Sequence, residues 1–219
     1  MNNNIGKILI FVNGESQITD FELEEILPVD KVICADGGTK IALKLGIFPD
    51  IIVGDLDSIT EDIEKRLTKH KVEWKIYPTD KDETDLELAV KEAVKFKPNS
   101  IYFVGLLGGR IDHTLANIFF LERLKDLNIE PYVIDRKLRI YIMKGEEEKI
   151  IWGNKGDTLS LIPLSDVVEG IYLEGLKYGL NYEPLYRNLT RGISNMFISY
   201  QAKISIQKGT LLVIHLYQT

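Results

Sequence analysis

At 219 residues and 25.0 kDa, with 45% apolar side chains, the chain has material for one large or two small domains and a sizeable core. A net charge of -6 and a pI near 5.2 exclude a broad phosphate-backbone footprint, because nucleic-acid binders gather Lys and Arg into a basic face. The single cysteine excludes an intrachain disulfide framework or a cysteine-built zinc site, and no apolar run approaches the length needed to cross a bilayer.

The opening Met1-Asn2-Asn3-Asn4-Ile5-Gly6-Lys7 lacks the charged then long apolar arrangement of a secretory signal. A cytoplasmic protein is therefore expected, and the sequon Asn188-Leu189-Thr190 reads as a chance match. Short apolar runs predict strands at Lys7 to Val12, Lys31 to Ala35, Ile51 to Gly54, Val72 to Tyr77, Ile101 to Val104 and Pro131 to Ile134. Helical periodicity fills the gaps, which favours a parallel sheet covered by helices. Cys34 lies within the second run and reads as an inert buried thiol. Ser58 with Glu61, and Thr84 with Glu87, have capping-box spacing, while Gly46 after Leu45 marks a helix stop. A helix from about Asp112 to Leu127 is expected to turn Leu115, Ile118, Leu121 and Leu124 toward the core.

After about residue 140 the pattern changes to short strands separated by Gly, Asn and Asp turns: Lys149 to Trp152, Asp157 to Ile162, Val167 to Leu173, Gly192 to Ile198 and Thr210 to Leu216. This half reads as all-β, two sheets or a small barrel, with Lys144-Gly145-Glu146-Glu147-Glu148 as a polar turn suited to a domain boundary. The expected architecture is an N-terminal α/β domain with a Rossmann-like parallel sheet over 1–143, then an all-β sandwich over 144–219.

Chemistry concentrates where the strands of the first half end: Ala35-Asp36-Gly37-Gly38, Gly54-Asp55-Leu56-Asp57-Ser58, Asp80-Lys81-Asp82-Glu83-Thr84-Asp85 and Gly108-Gly109-Arg110-Ile111-Asp112-His113. Open parallel sheets bind ligands beyond the carboxyl ends of their strands, so these segments can converge. Carboxylates gathered there repel one another unless a cation compensates, and magnesium with phosphate oxygens is the natural partner of hard oxygen ligands. Taken singly, the Gly-Asp-x-Asp-Ser segment also fits a solvated turn with a helix cap, and the acids of Asp80 to Asp85 fit a helix start. Four acids in six residues exceed what capping needs. The glycine-rich run Gly105 to Arg110 opens a helix and sets a guanidinium beside unpaired N–H groups, as a polyphosphate would require, yet it is neither a Walker loop nor a dinucleotide fingerprint. His70, His113 and His215 are too dispersed for a three-histidine metal site, and no nucleophile elbow is present, so direct transfer fits better than covalent catalysis.

Together, Ala35 to Gly38, Pro49 to Ser58, Asp80 to Asp85, Gly108 to His113 and finally Ser194-Asn195 resemble the ordered motifs of thiamine pyrophosphokinases, over residues 34 to 197. The resemblance implies transfer of a pyrophosphoryl group from ATP to the hydroxyl of thiamine, giving thiamine diphosphate and AMP. It further implies Mg²⁺, an α/β catalytic domain, a β-sandwich thiamine-binding domain and a homodimer with sites between subunits; from charge and the lack of a long apolar run, no nucleic-acid or membrane partner is expected. By that resemblance Asp55, Asp57 and Asp85 are the metal-facing acids and, with Arg110 and Asp112, the catalytic set. Asp36, Lys81, Thr84 and His113 fall on the nucleotide side, and Ser194 and Asn195 on the thiamine side. The chain departs from the pattern at Gly179, where a proline is usual, and at Met196, where an acid is common. Tyr178, Tyr182, Tyr186 and Phe197 all remain candidates to stack on the acceptor. Two other readings stand beside this one: a pyrophosphokinase on another small alcohol such as a hydroxymethylpterin, and a non-catalytic nucleotide or thiamine sensor.

Overall fold

Strands buried on both faces carry near-continuous apolar runs rather than an alternation, and the first half of the chain is built on that rule. In the computed structural model, which describes residues 6–218, the strands are β1 (Lys7–Phe11), β2 (Lys31–Ala35), β3 (Ile51–Gly54), β4 (Glu73–Ile76), β5 (Ser100–Val104) and β6 (Glu130–Asp135). The segment Met1 to Ile5, on which the reading of the N-terminus partly rests, lies outside the described residues. All six strands pair in parallel, in the order β6-β5-β1-β2-β3-β4. Ile8, Leu9, Ile10 and Phe11 of the central β1 are fully buried. Five helices alternate with these strands: α1 (Asp20–Glu24), α2 (Gly38–Lys44), α3 (Glu61–Leu67), α4 (Asp85–Val94) and α5 (Ile111–Asp126). Helix α2 packs on β1 and β2, and α4 on β1, β2 and β3. Cys34 is free and buried, and burial pushes its thiol far above the ordinary range despite a hydrogen bond with Thr39, so it is inert as expected.

Thr84 caps α4, its Oγ1 accepting the Glu87 N–H at 3.2 Å, and Gly46 follows the end of α2 at a φ of 70°, both as predicted. The cap of α3 is not Ser58. Thr60 takes that role through the Ile63 N–H at 3.5 Å, because a left-handed turn at Leu56 carries the chain two residues further before the helix starts. Ser58 instead donates to Asp57 Oδ1 at 3.3 Å.

The expected apolar face of α5 is only half right. Leu121 and Leu124 are fully buried, but Leu115 is 46% exposed. Residues spaced strictly by three drift about 60° per step around an α-helix, so Leu115 and Leu124 end on opposite sides. Leu115 shares its stripe with Ile111 and Phe119, which are also exposed.

Contacts divide the chain into two compact units, one running to Ile118 and resuming over Asn128–Arg136, the other comprising Phe119–Leu127 and the chain from Lys137 onward. The second unit is an antiparallel β-sandwich. Its strands are β7 (Leu138–Lys144), β8 (Glu147–Trp152), β9 (Thr158–Pro163), β10 (Val167–Glu174), β11 (Asn181–Tyr186), β12 (Asn195–Met196), β13 (Gln201–Ile206) and β14 (Thr210–Leu216). One sheet has the order β12-β9-β14-β7 and the other β11-β10-β13-β8. Between them lies a core that includes Met143, Leu161, Ile171, Phe197, Ile204 and Val213.

Within Lys144 to Glu148 only Gly145 and Glu146 form a turn, joining the end of β7 to the start of β8 inside the second unit. The last turns of α5 are tied to this hairpin by ion pairs of Lys125 with Glu147 and of Lys144 with Glu122 and Asp126. The strand expected over Gly192 to Ile198 shrinks to the two residues of β12, since Gly192 at φ 106° and Ser194 at φ 56° bend the chain out of an extended line. Among the described residues no helix is long and apolar enough to span a membrane.

Candidate functional site

The strand order reverses its direction of growth at β1, between β2 on one side and β5 on the other, and ligands of open α/β sheets bind at such switch points. Here the loop Asn13-Gly14-Glu15 after β1 faces the loop Gly105 to Arg110 after β5. Val12 N donates to Val104 O and Gly14 N to Gly105 O, each at 2.8 Å. A Cβ on Gly14 would stand 2.2 Å from Leu107 O and 2.4 Å from Gly105 O, so only glycine allows this approach. The start of α5 secures the second loop: Thr114 Oγ1 accepts from Gly108 N at 3.3 Å and donates to its carbonyl at 3.2 Å, while Asn117 donates to Leu106 O at 2.9 Å. A cleft of about 580 Å³ results, with Asn13, Glu15, Lys81, Asp85, Arg110 and His113 among its walls.

Asp36, directly after β2, and Asp55 and Asp57, after β3, present carboxylate oxygens that all lie within 4.8 Å of one another. Asp36 is 6% exposed and its Oδ1 has no hydrogen-bond partner. The left-handed residue Leu56, at φ 67°, lets the Asp57 N–H turn back onto Asp55 Oδ1 at 3.2 Å. That N–H, with the Thr79 hydroxyl and the Lys81 ammonium, holds the Asp55 carboxyl below its ordinary range. Asp85, the first residue of α4, is not among the three. Its Oδ1 is instead paired with Lys81 Nζ, 3.1 Å away. Burial pushes the Asp85 carboxyl up; the charges of Asp36 and Asp55 act in the same direction and Lys81 opposes them. Thus Asp85 feels the acids that it does not touch. A buried carboxylate oxygen without a donor, facing two more carboxylates, fits a hard cation that would supply the missing positive charge.

Arg110 is held from the solvent side. Its Nη2 and Nε reach Asp112 at 2.6 and 3.2 Å, a two-point grip that draws the exposed Asp112 carboxyl down to about 2. Asp112 does not line the cleft; it orients the guanidinium that does. Thr84 lines the cleft while capping α4. The neutral residues Asn13, Thr79, Thr114 and Asn117 escaped the sequence reading; the one available signal was the polar spacing of Thr114 and Asn117 on α5. His70 stacks on Phe48 and His215 pairs with Asp157, so neither is engaged with the cleft.

The second unit has its own cleft, about 520 Å³, with Lys177, Tyr178, Arg191, Ile193 and Asn195 in its walls. Asn195 is buried and serves the backbone: Oδ1 accepts the N–H groups of Tyr178 and Met196, each at 2.9 Å, and Nδ2 donates to Tyr178 O at 2.7 Å. Ser194 is exposed, and its N–H donates to Ser160 Oγ at 3.0 Å. Of the four aromatic candidates, Phe197 is buried in the core and Tyr178 alone borders the cleft.

Two family models match the chain. One is described as "Thiamin pyrophosphokinase, catalytic domain" over residues 25–133, the other as "Thiamin pyrophosphokinase, vitamin B1 binding domain" over residues 138–211. A thiamine pyrophosphokinase from Bacillus subtilis (strain 168) is 36% identical over 182 residues, covering 83% of this chain and 85% of the relative. The crystal structure of a thiamine pyrophosphokinase from Bacillus subtilis matches with a TM-score of 0.86 at 30% identity, over 97% of this chain and all 100% of that one. A thiamin pyrophosphokinase structure from Geobacillus thermodenitrificans gives 0.81 at 27% identity, over 97% and 98%.

Proposed function

Since this chain belongs to the thiamin pyrophosphokinase family and is an ATP:thiamine diphosphotransferase, we propose that its first unit binds ATP with Mg²⁺ and its second binds thiamine. The observation that carries the ATP side is the meeting of Asp36, Asp55 and Asp57 at the ends of β2 and β3. In this reading Asp55 and Asp57 hold the ion as the motifs imply, Asp36 joins them, and Asp85 acts beside them through its ion pair with Lys81. Magnesium bound there would screen the phosphate charge that resists attack by a neutral hydroxyl.

The remaining work falls to side chains and backbone. The Gly105 to Arg110 loop offers N–H groups to the phosphates, Arg110 adds charge at an angle set by Asp112, and His113 and Lys81 border the same cleft. The thiamine hydroxyl oxygen forms a bond to the β-phosphorus as the bridge to the α-phosphorus breaks. AMP leaves, and the hydroxyl proton departs to solvent or a nearby carboxylate. In the second unit Tyr178 offers a ring to the cationic acceptor, and Asn195 holds the backbone that carries it.

Purified protein given ATP, thiamine and Mg²⁺ should form AMP and thiamine diphosphate in equal amounts, read by chromatography. Appearance of ADP instead would sink the pyrophosphoryl transfer. We further propose a cytoplasmic homodimer. The lone buried thiol suits a reducing compartment, and the outward Ile150 and Trp152 of β8 leave apolar surface that a second copy would cover. Sedimentation at micromolar concentration tests the dimer.

A further inference from the structure

The geometry points to the buried His215–Asp157 pair as a positioning device for the acceptor cleft of the second unit, an inference that rests on the reading of that cleft as the thiamine side. His215 of β14 is fully buried, and its Nε2 lies 3.1 Å from Asp157 Oδ2, itself buried in the turn before β9. The rings of Tyr217 and Phe197 flank the imidazole at 4.0 and 4.8 Å. Nδ1 is buried without a partner, so the neutral tautomer protonated at Nε2 is the one that donates to Asp157. The same carboxylate accepts the Asn154 N–H at 2.7 Å and the Gln218 N–H at 3.0 Å. Neither His215 nor Asp157 borders the cleft.

Burying such a pair adds little stability over an apolar pair of equal volume, so its effect is to fix geometry. What it fixes can be followed residue by residue. The turn that Asp157 closes is joined to Phe197 by two backbone hydrogen bonds, Gly156 N to Phe197 O and Phe197 N to Asp157 O, both at 2.9 Å. Phe197 continues directly into Met196 and Asn195. There Met196 O accepts the Lys177 N–H at 2.8 Å and the Asn195 amide clasps both backbone groups of Tyr178. Lys177, Tyr178 and Asn195 are cleft walls. The pair therefore sets the place of the wall through one turn and one two-residue strand, without touching the ligand itself.

His215→Leu keeps the volume and deletes the donor, whereas His215→Gln restores an amide N–H near the Nε2 position. In the full-length protein His215→Leu should raise KM for thiamine roughly tenfold or more, with KM for ATP and kcat within about twofold, and His215→Gln should recover most of the loss. A lowered melting temperature with KM for thiamine unchanged, or a Gln variant as weak as the Leu variant, overturns the inference. Should the Leu variant fail to fold, hydrogen exchange on the wild-type protein decides: saturating thiamine should slow exchange at the Gly156 and Phe197 amides, and no change there overturns it. Wild-type protein that binds no thiamine would instead refute the reading of the cleft, so the two failures are distinguishable.

Discussion

Replacing Asp36 by asparagine should raise stability without metal and abolish stabilisation by metal. Asparagine keeps the shape of the side chain and tolerates the left-handed backbone at φ 41°. What disappears is one negative charge whose oxygen lies within 4.8 Å of those of Asp55 and Asp57, and which also acts on Asp85. At that separation, with an effective dielectric constant of about 50 to 80 because Asp57 is exposed, each repulsion is worth roughly 1 kcal/mol and the two together roughly 2 to 3 kcal/mol. In EDTA the Asp36→Asn protein should gain about 2–3 kcal/mol, a rise of roughly 4–12 °C in Tm for a chain of this size. Magnesium reverses the order: at about a thousand times its dissociation constant it should add about 4.1 kcal/mol to the wild-type protein and little to the variant. Scanning calorimetry of both proteins, in EDTA and then in magnesium, shows whether the two stabilities cross. A variant that melts lower than wild type in EDTA would give the carboxylate a structural role. One that keeps the full magnesium shift would remove Asp36 from the metal.

Asp57→Asn should fold normally yet lose roughly 10²–10³-fold or more in kcat, as loss of transition-state charge stabilisation does; near-native turnover would remove Asp57 from the reaction. Asp112→Asn should leave Tm almost unmoved, since Arg110 and Asp112 are exposed, but should raise KM for ATP several-fold because the guanidinium loses its two-point grip. An unchanged KM would mean that something else orients Arg110. Gly14→Ala forces a methyl against two carbonyl oxygens and should cost about 1–3 kcal/mol with weakened ATP binding; an unaltered melting curve would contradict the close loop contact. Burial holds the His215 imidazole below its ordinary value of 6.5, so as pH falls through 6.5 the unfolded chain takes up a proton that the folded chain resists. Stability is therefore full above that value and declines below it. Asp157 acts in the same direction at lower pH: its burial is outweighed by the N–H groups of Asn154 and Gln218 and by His215, which keep its carboxyl below 3.8. His215→Gln should flatten the fall in Tm between about pH 7 and 5. A variant as acid-labile as wild type would exclude His215 as the cause.

What could be read in the chain before its structure follows from how each segment is solvated. Strands β2 and β3 match their expected bounds because both faces are covered, so every residue after the leading Lys31 is apolar or glycine and the run ends where cover ends. Strand β13 was missed because only one of its faces is buried, and that face begins with Ala202, whose methyl gives little contrast against Lys203 and Ser205. Strand ends carrying acids were legible as a group, since charge at the carboxyl ends of a parallel sheet has few structural uses. Which acids meet was not, because it depends on backbone conformations that composition does not encode.

Asp36 and Leu56 make that point physically. Both adopt positive φ, which a non-glycine residue enters at a cost of roughly 1–2 kcal/mol. Such strain persists only where the surroundings impose it. Gly37, whose added Cβ would lie 2.2 Å from the Asn13 amide, lets the turn after β2 press against the loop after β1 and so confines Asp36. Leu56 is packed on the apolar core of the first unit, which pins the turn that brings Asp57 back toward Asp55. The acidic trio is thus imposed by packing against its own repulsion. If magnesium is the proposed partner of these acids, its charge offsets the repulsion that packing imposes on them, which is why stability with and without magnesium discriminates more sharply than activity alone.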